Sequence, residues 1–144
     1  QAMSSGLSRA FRERQVHKRY EAIVDGLMTD DQGSIDFPLI ADWPNRPRQK
    51  IDFETGKPSL THFQVMARHV QENWTRVDLE PFTGRSHQLR MHLMALGHPI
   101  LGDPLYAHPE ALARAPRMYL HARHLSFDHP LTGEPMVFDS ATPF

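Results

Sequence analysis

Apolar positions along this chain follow two periods. Leu7, Ala10 and Phe11 sit three and four apart with arginines between them, which predicts a helix over 7–14. Tyr20-Glu21-Ala22-Ile23-Val24 reads as a strand ended by Asp25-Gly26, and Asp30-Asp31-Gln32-Gly33 as a turn. Phe63, Val65 and Ala67 alternate, as do Val77 and Leu79 after the turn-like Gln71-Glu72-Asn73, so a strand pair is predicted there. Thr83-Gly84-Arg85-Ser86 then opens a helix. Leu89, Leu93 and Leu96 fall at i, i+4 and i+7 on one face of it, and Gly97 stops it. A short helix over 109–115, a strand over 118–127, a turn at 129–133 and a strand over 136–138 complete the reading. Hairpin-like strands with a few helices predict an α+β fold, a mixed but mainly antiparallel sheet with flanking helices, in a single domain over 1–144.

Composition narrows the chemistry. The chain has 144 residues, no cysteine and a formal charge of −1. Without cysteine there is no disulfide, thiolate zinc site or cysteine nucleophile, and a reducing, cytoplasmic location is expected. No apolar run approaches the roughly 20 residues of a membrane-spanning helix, and no membrane partner is expected. Near-neutral charge gives no global attraction to nucleic acid, so any such binding needs a local patch. Twelve prolines spread from Pro38 to Pro143 punctuate many short elements and mark no linker.

Three segments carry candidate chemistry. Arg9, Arg12, Arg14, Lys18 and Arg19 form a basic stripe with His17, which suits either phosphate contact or a solvated helix face. Arg46, Arg48 and Lys50 lie beside Trp43 in a loop that Pro44 and Pro47 bar from regular helix. Cations beside an aromatic ring suit unpaired RNA, whereas a structural proline loop would pack Trp43 inward. The third segment runs from Pro81 to Leu93. Its glycine turn leads into a helix start able to hold an anion, and Arg85 and Arg90 can each grip a carboxylate or phosphate. Five residues apart, they do not share one helical stripe, and an arginine entering a cleft normally answers an acid there. Ten histidines raise a metal hypothesis. His87 and His92 are five apart rather than four, His121 and His124 converge only if their strand bends, and satisfied histidines are the preferred reading. A Ser-His-Asp hydrolase lacks its G-x-S-x-G elbow.

Thr83-Gly84-Arg85-Ser86-His87-Gln88-Leu89-Arg90 followed by Gly97-His98-Pro99-Ile100-Leu101-Gly102-Asp103 resembles a signature of the RluA family of RNA pseudouridine synthases. Lys18-Arg19-Tyr20-Glu21-Ala22-Ile23-Val24 is similar to that family's tyrosine motif, and Leu120-His121-Ala122 with Leu125-Ser126-Phe127 to its C-terminal strand. The loop from Asp42 to Lys50 and Glu54-Thr55-Gly56-Lys57-Pro58 resemble the branch acting on both transfer and ribosomal RNA. The resemblance implies isomerisation of uridine to pseudouridine without cofactor or metal, on structured RNA as partner. A catalytic aspartate attacks, the glycosidic bond breaks, the uracil turns and a carbon–carbon bond forms. Tyr20 matches the tyrosine that stacks on the flipped base, and Arg90 the arginine paired with the aspartate. A close Arg⁺ would keep that carboxylate ionised. The family's aspartate lies in an H-R-L-D stretch before the tyrosine motif. This chain has no such stretch, and Arg76-Val77-Asp78 only echoes it. The nucleophile is therefore expected outside the given chain. The chain is expected to be the C-terminal part of the catalytic domain, inactive alone. Its exposed sheet edge and bare apolar face would be covered by the remaining part or by self-association. A non-catalytic RNA-binding module of the same fold is the alternative.

Overall fold

Residues 16–144 are described by a computed structural model. The helix expected over 7–14, with Arg9, Arg12 and Arg14, lies outside the described residues. The strands are β1 (His17–Asp25), β2 (Gln32–Asp36), β3 (Leu39–Ala41), β4 (Gln49–Ile51), β5 (Leu60–His69), β6 (Trp74–Pro81), β7 (Leu120–Asp128) and β8 (Pro135–Asp139). Two helices, α1 (Gln88–Ala95) and α2 (Pro109–Ala113), accompany them. Six strands form one sheet in the order β2-β5-β6-β1-β7-β8, and β3 and β4 form a separate hairpin. Every described strand pair is antiparallel.

Alternation along β1 explains the layers. Ala22 and Val24 point to one face, where they meet Val77, Leu79, Phe63 and the α1 residues Leu89 and Leu93. Burying a leucine such as Leu93, wholly shielded from water, contributes about 2–3 kcal/mol. Ile23 points the other way, against Leu101 and Ala111 of α2. The rest of that second face is charged. Arg76 grips Glu21, while Asp78 accepts from Arg19 and Arg123 at 3.2 Å each. On β1 and β6 the bare apolar face expected from the sequence is therefore replaced by ionic outward positions. The edges are β2 and β8, and β8 carries the exposed Val137 and Phe138.

Three local readings change. Gln32 and Gly33 begin β2 rather than close a turn. A bulge between Val65 and Ala67 breaks the alternation of β5, so Ala67 is exposed. The proline loop is the tip of the β3–β4 hairpin, with one 3₁₀ turn over Trp43–Asn45.

Behind α1 a polar chain crosses the core. His92 is fully buried. Its Nε2–H donates to the Phe37 carbonyl at 2.8 Å, and its Nδ1 accepts from the Thr61 hydroxyl at 2.9 Å. Gln88 donates in turn to Thr61 Oγ1 at 3.0 Å. Burial pushes His92 below the ordinary histidine range, so the folded protein holds it neutral. The unfolded chain then takes up the proton first. Stability is full above about pH 6.5 and falls as pH drops from there towards the folded-state value, at a slope of up to about 1.4 kcal/mol per pH unit. Urea midpoints between pH 7.5 and 5 should show this decline, and a His92→Gln variant should show a shallower one.

Candidate active site

The turn before α1 is built around Gln88. Its Oε1 accepts from the Thr83 hydroxyl at 2.6 Å and from the Arg85 N–H at 3.1 Å, and its Nε2 donates to the Leu60 carbonyl at 2.9 Å. Every polar atom of this buried side chain is occupied, so the turn has one arrangement. His87 follows with a positive φ of 54° and passes the chain into the helix. Removing the amide by Gln88→Leu strands several buried partners, at a cost of about 2–4 kcal/mol readable in urea midpoints.

Above this turn lies a cleft of about 270 Å³ lined by Lys18, Tyr20, Thr83, Gly84, Arg85, His87 and Arg90, among others. Tyr20 arrives from β1 and Arg90 from the first turn of α1, so the two residues singled out by motif share one cavity. Burial raises the Tyr20 phenol above its ordinary pKa, so it stays protonated near neutrality and presents a ring face rather than a phenolate. Among the described residues no aspartate or glutamate lines it.

Arg90 is answered within the chain. Its Nε donates to Asp103 Oδ2 at 2.9 Å and its Nη2 to Asp103 Oδ1 at 2.7 Å. An acid that the sequence reading did not assign to Arg90 therefore holds two of its nitrogens, on a loop packed beside α1 and 13 residues further on. Asp103 is wholly buried, and Oδ1 also accepts from the N–H groups of Leu105 and Tyr106. Burial alone would raise its pKa, but the Arg90 bonds and these N–H groups hold it below the usual carboxylate range. With both oxygens engaged and no surface, Asp103 cannot serve as an attacker. Asp78 cannot either. Leu79 faces Tyr20 across the β1–β6 ladder, so Asp78 points to the opposite side of the sheet.

Tyr106, missed from the sequence, ties the basic loop to this site. Its hydroxyl accepts from the Gln49 N–H at 2.8 Å and donates to His87 Nδ1 at 2.8 Å. Its ring carries the Arg90 guanidinium at 5.2 Å and the Arg48 guanidinium at 5.3 Å. Burial and the Arg90 charge lower the His87 pKa, which suits this acceptor role. Arg48 and Arg90 therefore share one aromatic ring. Trp43 is 67% exposed, and Arg46 stacks on it at 4.4 Å. The inward-packed reading of that loop is excluded. Arg46 and Lys50 are exposed, whereas Arg85 spends its Nε on the Pro58 carbonyl at 3.0 Å. The histidines disperse. His121 and His124 bond to the Ser140 carbonyl and Asp139, and among the described residues no three metal-ligating side chains converge. Of the basic stripe, Lys18 lines the cleft and Arg19 is paired with Asp78 on the far face.

Residues 1–95 match the family model described as RNA pseudouridylate synthase. Over 138 residues the chain is 56% identical to the dual-specificity RNA pseudouridine synthase RluA of Pasteurella multocida, and 53% identical to that of Escherichia coli K12. Each alignment covers 96% of this chain and 63% of the relative, so the chain spans less than two thirds of the length of these curated relatives. Among solved structures it is similar to human RNA pseudouridylate synthase domain containing 1, with a TM-score of 0.81 and 32% identity over 98% of this chain and 60% of that one. Human RNA pseudouridylate synthase domain containing 4 gives a TM-score of 0.75 and 25% identity over 98% of this chain and 63% of that one.

Proposed function

Because the chain belongs to the RNA pseudouridylate synthase family, we propose that the whole protein isomerises specific uridines in structured RNA to pseudouridine. The observation that carries the reading is the shared cleft of Tyr20 and Arg90. A uridine extruded from its stack would lay its base on the Tyr20 ring, and extrusion costs least in a loop, a few kcal/mol. Arg90 would steady the negatively charged attacker. The proposed attacker is a carboxylate that none of the described lining residues supplies, and the chain by itself is proposed to be inactive. The product is an isomer of the substrate, and the step consumes no oxidant or co-reactant.

The proposed substrates are transfer RNA and large-subunit ribosomal RNA in the cytoplasm, in line with the dual-specificity relatives. Arg46, Arg48 and Lys50 are the proposed phosphate contacts, with the exposed Trp43 available to an unpaired base. Arg85 is proposed to contact RNA at the rim of the cleft. Lys50→Ala should weaken binding to all RNA sequences alike and reduce the salt slope of log K by about one. Fluorescence titrations from 50 to 200 mM salt would reveal it.

The deciding experiment is tritium release from RNA labelled at uridine C5, using the product of the complete gene. Release at a defined uridine is expected. Tight RNA binding without release would identify the non-catalytic binding module instead.

A further inference from the structure

Arg90 uses only part of its guanidinium on Asp103. Nε and Nη2 lie against the two carboxylate oxygens, and among the described residues Nη1 makes no hydrogen bond. The side chain is 14% exposed and lines the cleft. Asp103 is itself held at several points. Its backbone N–H donates to the Ile100 carbonyl at 3.2 Å, its backbone carbonyl accepts from Ala107, and its Oδ1 takes two backbone N–H groups besides Arg90. The Tyr106 ring closes the other side of the guanidinium. Two parallel bonds fix a planar fork in orientation as well as position, which one bond does not.

We infer that Asp103 is a positioning residue for the reaction: it clamps Nε and Nη2 of Arg90 so that the Nη1 corner alone is presented to the attacking carboxylate. This rests on the isomerase reading above. It differs from a plain structural ion pair in what it predicts. A pair that only stabilised the fold would alter melting, whereas an aiming device alters the rate in the bound complex. An arginine held by one bond swings about that bond, and misplacement by about 1 Å lowers a rate about 100-fold.

Asp103→Asn separates the two. Asparagine keeps the shape and, with its oxygen at the Oδ1 position, still accepts from Leu105, Tyr106 and Arg90 Nη2. Its NH₂ replaces Oδ2 and cannot accept from Arg90 Nε. In the complete gene product, single-turnover pseudouridine formation should fall about 100-fold, with RNA affinity within about twofold of wild type. Asp103→Glu should recover part of the loss, since it restores the second acceptor. The Arg90 Nε–H signal in arginine-labelled NMR spectra should be protected from exchange in the wild type and unprotected in Asp103→Asn. A variant turning over at the wild-type rate overturns the inference while leaving the isomerase reading intact. A rate loss accounted for by the unfolded fraction overturns it as well. A wild-type protein that forms no pseudouridine overturns the isomerase reading, and this role with it.

Discussion

Arg90→Ala is expected to lower single-turnover pseudouridine formation by at least about 1000-fold in the complete gene product, with RNA affinity changed by less than about threefold. The asymmetry follows from where the guanidinium sits. It lies inside the cleft with 14% of its side chain exposed, whereas the cations proposed to meet phosphates lie on the β3–β4 hairpin. Its interaction with an ionised attacker matters at the chemical step, and only interactions stronger in the transition state raise the rate. The substitution also leaves Asp103 buried without its cation, which costs about 3–5 kcal/mol unless the carboxyl takes up a proton. The assay is therefore read against the folded fraction from a urea curve in the same buffer. Arg90→Lys supplies the comparison. It keeps the charge but not the fork, and should recover stability better than rate. A variant with wild-type turnover would refute the role of Arg90.

Gly102→Ala should be the most damaging single methyl in the described structure. Gly102 has a φ of +76°, and a Cβ there would lie 2.0 Å from the Arg117 carbonyl oxygen and 2.6 Å from its carbon. Both atoms are backbone, so no side chain can swing aside. The expected loss is about 4 kcal/mol or more, a large part of an ordinary domain's stability. Gly97 is the internal control. Its φ is +88°, but a Cβ there meets nothing within 4 Å. Gly97→Ala should cost only the left-handed backbone preference, about 1–2 kcal/mol. Denaturation midpoints of the two variants side by side would test the difference. Equal losses would show that the Arg117 backbone yields. Because Gly102 precedes Asp103, its variant should also disturb the Arg90 clamp and lower turnover in whatever fraction remains folded.

The strands and helices that periodicity can see were legible. β1, β6 and α1 carry the buried core positions, and Leu89 and Leu93 lie in the main core as expected. The β3–β4 hairpin escaped notice because its strands are three residues each, too short for any period, and prolines fill its tip. Ala67 was misplaced because one extra residue in β5 reverses the sides of everything after it. Within the candidate site, Tyr20 and Arg90 stood out through motif. Tyr106 did not, because nothing in its neighbourhood shows that its hydroxyl bridges Gln49 and His87. Asp103 did not stand out either, because nothing in the local sequence shows that its carboxylate turns towards Arg90.

By itself the sequence determined which residue types are available, the alternation that makes one face of β1 apolar and the other ionic, and the motifs that mark Tyr20 and Arg90. Only the tertiary structure decided the partners: that Arg90 spends two of its nitrogens on Asp103, that Asp78 turns away from Tyr20, and that Trp43 faces solvent. The reason is physical. Alternation and helical spacing are set by local backbone geometry and are written into neighbouring residues. A hydrogen bond between distant segments depends on how whole elements pack and on where each donor then points, and no local pattern encodes that direction.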